Sequence, residues 1–483
     1  MKLYKIKTIT ATLLVSTFLM FSCQNLLDIR ETDFIGGDNA LRTVANNESL
    51  LMTAYSVLPN MPIFFNGELS DELKQGSFYA AQSTHEWLFA SDDIRIRDEF
   101  TAITPYYQSI DRVNRVLSAL PNAVAEGQND EALRAKLRGE ALFLRAYTHF
   151  ELFRFYCKNY DPNGLAMPYS EVSTLENQAR IDMGEYFSKI SRDLTEAKSL
   201  LANSNSDVFR TNGIAVSGLQ ARVALYTRNW NEAVTFSTEY ISALPLATKT
   251  EFGDIWTDAN TTEVAWKLHR TTANRIGNYY RGLFTRPGGV LTAPNGVSWI
   301  PTDKLWNSFD AANDIRFAQY FIDEPVLAAA QLPSKIVNKY RGSGYATNNE
   351  NVAHVKVFRT AEMYLIRAEA RAELNVINGG NSAQEDLNAL RSARINNYAN
   401  VSLASKEEAI SVIIQERYKE LAFEGHRFWD LKRRNLPVSR IASDAPNPGA
   451  ATLQAGNFRF VLPIPRTEIQ ANPLMVQNDG YND

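Results

Sequence analysis

The densest run of ionisable side chains in this chain lies between Glu416 and Arg433, ERYKELAFEGHRFWDLKR. His426, with Glu424 and Asp430 beside it, has the composition of an acid–base site. The spacing favours a structural role. Glu416, Glu420 and Glu424 follow one helix edge, while Glu424 to Arg427 and Arg427 to Asp430 are separated by the interval at which adjacent turns form ion pairs. Leu421, Phe428 and Leu431 supply an apolar face, so the run predicts an architectural helix laced by its own ion pairs.

Other reactive constellations are missing from the sequence. His85, His149, His269, His354 and His426 form no His-x-x-x-His or Glu-x-x-His pair, so no metal site and no cofactor is expected. There is no Gly-x-Ser-x-Gly elbow; Gly342-Ser343-Gly344 reads as a turn, and Gly288-Gly289 fits neither a phosphate loop nor a dinucleotide fingerprint. Glycoside hydrolysis needs only two carboxyl groups about 5 to 10 Å apart in space, and nothing marks out a pair among 54 acidic residues. No catalytic residue is assigned, and a binding protein is expected rather than an enzyme.

The elements that would carry a binding surface are legible. With 45% hydrophobic and 22% charged residues, the 483-residue chain is neither wholly disordered nor a multi-span membrane protein. A formal charge of -4 offers no basic footprint for nucleic acid. Aromatic residues reach 11%, with 21 Tyr and 7 Trp, and such rings serve where a flat apolar face meets a polar ligand. Residues 1–22 carry Lys2, Lys5 and Lys7 and then an apolar run, too short to span a bilayer, that reads as a secretory signal peptide. Cys23 after Ser22 resembles the lipobox of bacterial lipoproteins and is the expected lipidation site. Cys157 then has no partner and is expected as a small buried hydrophobe.

Apolar residues recur at helical spacing over 41–58, 105–120, 131–156, 185–201, 214–227, 232–244, 360–375 and 383–395. In 131–156 one stripe takes Leu133, Leu137, Ala141, Leu144, Thr148, Leu152 and Phe155. The stretch ARVALYTRNWNEAV resembles a tetratricopeptide helix junction, without the strict repeat period. The chain thus divides into a signal peptide (1–22), a lipidated tether (23–40), an N-terminal helical part with tetratricopeptide-like hairpins (41–248), an irregular inserted ligand-facing lobe with short strands (249–345), and C-terminal helices with an extended Pro- and Asn-rich tail (346–483).

Read in order, Cys23 with Leu27-Asp28, GEALFLRAYTHFELFRFY, RTAEMYLIRAEARAEL, ERYKELAFEGHRFWDLKR and LPIPRTEIQANPLMVQNDGY together resemble the SusD/RagB-type outer-membrane lipoproteins of Bacteroidota over nearly the whole length. Cys157, where that family commonly has Gly, a missing Asp-Pro before RTAEMYL and a loose lipobox are departures. The resemblance implies a mainly α, SusD-like fold anchored by lipid at the outer membrane and facing the cell surface. It implies capture of an oligosaccharide, or of peptides in the RagB manner, for delivery to a SusC-like TonB-dependent transporter. A surface glycoside hydrolase is the rival of another class.

The family motifs do not fix the ligand site, so it is sought among aromatics outside helical stripes. Trp87, with Tyr79 close by, lies among polar residues in FYAAQSTHEWLFASDD. Tyr279, Tyr280 and Trp299 lie in NYYRGLFTRPGGVLTAPNGVSW, whose Gly, Pro and Asn content argues for surface loops. Asn66, Asn278 and Arg281 are the nearest groups able to bond hydroxyls. Trp230, Trp256, Trp266, Trp306 and Trp429 are expected to pack in the core.

Overall fold

Caps and periodicity set the helices. Thr43, Asn212, Ser382 and Ser405 each precede a helix and accept a hydrogen bond from a backbone N–H of its first turn, satisfying a donor the helix leaves orphaned. The computed structural model describes residues 40–77, 83–99, 101, 103–204, 207–273, 285–286, 290–291, 298–342 and 352–481. The expected signal peptide, Cys23, Tyr79, Asn278, Tyr279, Tyr280 and Arg281 lie outside the described residues.

The principal helices are α1 (Val44–Ser56), α2 (Met61–Leu69), α3 (Ile103–Ala119), α4 (Asp130–Tyr156), α5 (Met183–Leu201), α6 (Gly213–Thr227), α7 (Trp230–Ala243), α8 (Thr360–Glu373), α9 (Ala383–Ser392), α10 (Lys406–Glu420) and α11 (Arg427–Arg433). From α3 to α8 each packs on the next in the series, and α8 then packs on both α9 and α10. This is the stacking of a helical-repeat array, in which each hairpin buries its apolar stripe against its neighbours. The mainly α architecture agrees with the expectation from the sequence.

Helix α4 exceeds its expected single stripe. From Gly139 to Tyr156 it is buried on every side, because α1, α3 and α5 pack on it and the C-terminal tail crosses its end, where Leu462 N donates to Phe155 O at 2.9 Å. Its polar groups therefore need internal partners. Glu140 accepts from Arg210 and Tyr55, Arg145 bonds Asp193, and His149 shares a hydrogen bond with the Tyr186 hydroxyl. Gly139 allows the close approach of α5: a Cβ there would lie 2.8 Å from Leu201 Cγ. Cys157 is fully buried just past this helix, and burial pushes its thiol up.

Short antiparallel ladders join distant parts of the chain. Strand β1 (Leu73–Gln75) pairs with β3 (Trp299–Pro301), β2 (Val264–Leu268) with β6 (Val355–Arg359), and β4 (Phe321–Asp323) with β5 (Lys335–Val337). Strands from the irregular middle of the chain thus pair with both the N-terminal and the C-terminal helical parts. The tail is less extended than expected. Val438–Ser439 pairs with Thr452–Leu453, and Arg466–Ala471 turns into a short helix after Pro465. Trp256, Trp266 and Trp429 are fully buried, while Trp230 and Trp306 are half-buried against the core.

The charges of the Glu416–Arg433 run are used differently from the expected ladder. The backbone adopts positive φ at Phe423 (63°) and Gly425 (83°), so α10 and α11 are separate helices. A Cβ on Gly425 would meet Pro62 O at 2.9 Å, which adds a close approach to the conformational demand. With the helix broken, Glu424 and Arg427 are no longer a turn apart. Glu424 instead bonds Lys339 and Arg359, and Asp430 bonds Arg417 and Arg433. His426 is buried and held well below its ordinary pKa by burial and then by Arg222 and Arg154, so it stays neutral.

Glu420 is the hub of this buried network. Arg316 reaches it at 3.0 Å, Arg359 at 3.0 Å and Arg394 at 3.2 Å, while the same guanidiniums also bond Asp314, Glu416, Glu424 and Glu263. Burial alone would raise the Glu420 carboxyl; Arg394, Arg359 and Arg316 hold it well below the usual carboxylate range. The Glu420→Gln variant keeps the shape and removes the charge, leaving three buried guanidiniums short of an anion. It should lose about 3–5 kcal/mol of stability, read as a lower urea midpoint with an unchanged denaturant slope, whereas a loss under about 1 kcal/mol would contradict the hub.

Candidate ligand-binding face

Gly76, just before the first aromatic stretch singled out in the sequence, and Ser298, inside the second, lie side by side. In the β1–β3 ladder Leu73 faces Pro301, Lys74 faces Ile300 and Gln75 faces Trp299. One residue further, Gly76 N donates to Ser298 O at 2.7 Å. Chain segments more than two hundred positions apart therefore reach the same end of the ladder.

Three pairs of residues make a ladder too short to hold itself. Side chains anchor it from behind. The Asp71 carboxylate receives both Nε and Nη2 of Arg427, at 2.8 and 3.0 Å, and Lys304 at 2.7 Å. Thr302 Oγ1 and the Tyr418 hydroxyl donate to Asp71 O, each at 2.7 Å. Beyond β3, Asp444 accepts from the backbone N–H groups of Asp303 and Lys304 and pairs with Lys74 at 3.0 Å. Burial alone would raise the Asp71 carboxyl; Arg427 and then Lys304 outweigh it and hold that group well below the usual range. Its neighbour Glu72 has the opposite fate. Burial first, and then the Asp71 charge, push its carboxyl up to about 8; Oε1 accepts from Phe423 N, and among the described residues Oε2 has no hydrogen-bond partner.

Three of the expected ligand contacts are buried within the fold. Trp87 is only 2% exposed, donates Nε1–H to Leu69 O at 2.9 Å and lies under the Arg440 guanidinium, 4.3 Å from its ring centre. Trp299 is equally buried and packs on the His85 ring at 4.9 Å. Asn66 is fully buried, with Oδ1 accepting from Phe428 N at 2.7 Å. Sequence neighbours concealed this burial, because the groups that meet these side chains, Leu69 and Arg440 at Trp87, His85 at Trp299 and Phe428 at Asn66, come from other parts of the chain. Aromatic content also missed two apolar side chains on the same segment: Leu88 is 59% exposed and Ile94 69% exposed.

A cavity of about 530 Å³ lies elsewhere, where the tail meets the end of α4 and the start of α5. Its cations are committed to the chain. Arg180 donates to the carbonyls of Ala166 and Val476 and to Asn478, Lys432 to those of Arg154 and Cys157, and Lys158 pairs with Asp479. The cavity is a seam that fastens the tail. Among the described residues, no group of three or more His, Cys, Asp or Glu side chains is arranged to hold a metal ion, and no helix is long and apolar enough to cross a membrane.

A family model described as "SusD family" matches residues 328–481, and one described as "Starch-binding associating with outer membrane" matches residues 36–225. The chain belongs to the SusD-like family. SusD-like protein P38 of Formosa agariphila is 23% identical, with each chain covered at 100%. A putative sugar binding protein from Bacteroides vulgatus superposes with a TM-score of 0.77 at 23% identity, over 92% of this chain and 100% of that one. A laminarin binding SusD-like protein superposes with a TM-score of 0.70 at 21% identity, over 91% of this chain and 100% of that one. These likenesses place the mainly α, SusD-like fold.

In this SusD-like chain the protonated Glu72 beneath the ladder makes stability depend on pH. Between the unfolded carboxyl value near 4.3 and the folded value of about 8, the folded state holds a proton that the unfolded state has lost, so stability from this group falls as pH rises. Glu72→Gln removes that term. The variant's advantage over the parent should grow by up to about 1.4 kcal/mol per pH unit between pH 5 and 8, measured by urea unfolding across the range. A pH-independent difference would show that Glu72 is ionised in the fold.

Proposed function

We propose that this SusD-like protein captures glycans at the cell surface and passes them to a SusC-like TonB-dependent outer-membrane transporter, anchored by lipid on Cys23. The observation that carries the reading is the β1–β3 ladder, which brings Gly76, just before one aromatic-rich stretch, beside Ser298 in the other. A sugar's C–H face packs on an aromatic ring while its hydroxyls exchange hydrogen bonds with amide and guanidinium groups. The family description that names starch binding and outer-membrane association, and the laminarin-binding and sugar-binding titles of two structural neighbours, support the same chemistry.

The proposed contacts are Tyr79, Tyr279 and Tyr280 for stacking, with Asn278 and Arg281 for hydroxyls. Leu88 and Ile94 add exposed apolar surface on the neighbouring described segment. Trp87, Trp299 and Asn66 hold the scaffold behind them. Function in this reading is binding without bond cleavage, so no reducing ends should accumulate when polysaccharides are incubated with the protein.

A glycan array run beside a peptide pool tests the class of ligand, and a positive signal from peptides alone would overturn the reading. For the best glycan, a Tyr279→Ala, Tyr280→Ala double variant should bind at least tenfold more weakly by calorimetric titration, on the order of 1 kcal/mol for each ring lost, with its melting temperature unchanged. Undiminished affinity would remove this pair from the site. Cys23→Ala should move the protein out of the membrane fraction; retention there without a transporter partner would refute the anchor.

A further inference from the structure

A second concavity, of about 280 Å³, opens between the segment following Trp87 and the C-terminal tail, lined among others by Ser91, Asp92, Phe458, Arg459, Arg466 and Tyr481. The Arg459 guanidinium lies 4.5 Å from the Phe458 ring centre, within cation–π range. Tyr481 packs edge-on against the same Phe458 ring at 5.0 Å and donates its hydroxyl hydrogen to Val461 O at 2.8 Å, so the wall is fixed.

Arg459 differs from the arginines of the buried network, each of which bonds a carboxylate. Among the described residues nothing accepts a hydrogen bond from its side chain, and its Nε is buried without a partner. An Arg N–H withdrawn from water without an acceptor costs free energy that an incoming anion recovers. Arg466, on the other side, is more than half exposed and stands 3.7 Å from the exposed Asp92, beyond hydrogen-bond length. Its backbone N–H donates to Ser91 O at 3.0 Å, which holds the tail against the segment that continues from Trp87. Among the described lining residues, Arg459 and Arg466 against Asp92 leave a net positive charge in a chain with a formal charge of -4.

We propose that this concavity is an anion subsite, taking the carboxylate or sulfate group of an acidic saccharide between Arg459 and Arg466. The assignment rests on the glycan-capture reading for the rest of the ligand. The planar guanidinium fork matches the paired oxygens of a carboxylate or sulfate. The subsite is within reach of the ladder: the chain from His85, which packs on Trp299, to Ser91 spans at most about 20 Å even when fully extended. One extended oligosaccharide can touch both places.

The test is calorimetric titration of the full mature chain with an oligogalacturonide, a sulfated galactan oligosaccharide and a neutral glucan oligosaccharide of equal length. At least one acidic probe should bind about tenfold more tightly than the neutral one. Arg459→Gln and, separately, Arg466→Gln should each weaken that probe at least fivefold while leaving the melting temperature and any neutral-glucan affinity unchanged. The two acidic probes distinguish carboxylate from sulfate. Acidic probes that bind no better than neutral glucan, or that lose nothing in both variants, overturn the subsite while leaving glycan capture intact. If no glycan binds at all, the capture reading falls. The subsite is then decided by sodium galacturonate and sodium sulfate, which at matched ionic strength must raise the melting temperature of the parent and not of Arg459→Gln; no rise overturns it.

Discussion

The Asp71 carboxylate, buried and gripped by Arg427 and Lys304, is the contact on which the β1–β3 ladder and the candidate ligand-binding face depend. It joins the strand that follows α2 to the residues after β3 and to the first turn of α11. A ladder of three residue pairs would fray on its own, and its strand exits would then not stay together. Cross-linked by Asp71, Thr302, Tyr418 and Asp444, it becomes part of the core. A buried charge pair of this kind is weak as a source of net stability and strong as a constraint, since removing either partner strands the other.

The same logic runs through the rest of the molecule. Glu420 gathers Arg316, Arg359 and Arg394 from three different parts of the chain, and Arg222 with Glu362 ties α6 to α8. Apolar stripes alone let neighbouring helices slide; fixed guanidinium–carboxylate geometry specifies how they meet. Charge that is spent inside in this way is not available to bind a polar ligand outside. That division sets Arg459, unpartnered among the described residues, apart from the arginines of the Glu420 network.

Much of the fold was legible in the sequence because it is local. The helices from 105 to 244 follow from apolar spacing, and caps such as Ser405 and Asn212 sit where the pattern starts. What was not legible is non-local. Arg427 finds Asp71 from 356 positions away, and no spacing rule contains that pairing. The expected ladder within Glu416–Arg433 failed at Phe423 and Gly425, where positive φ breaks the helix; the Glu-Gly-His triplet was the available signal. Trp87 looked like a loop ring because its sequence neighbours are polar, yet Arg440 and the Leu69 carbonyl cover it. Of the expected site, the two aromatic stretches were legible from their composition, but the burial of Trp87, Trp299 and Asn66 and the meeting of Gly76 with Ser298 were not.

Hydrogen exchange read by mass spectrometry, with and without a saturating glycan, tests most directly whether the ladder presents the ligand site. Slowed exchange on binding should centre on residues 76–95 and 274–299, extending to 458–466 for an acidic glycan, with α4, α8 and α10 unchanged. Protection at the 530 Å³ seam between the tail and α5, with none near the ladder, would contradict the account.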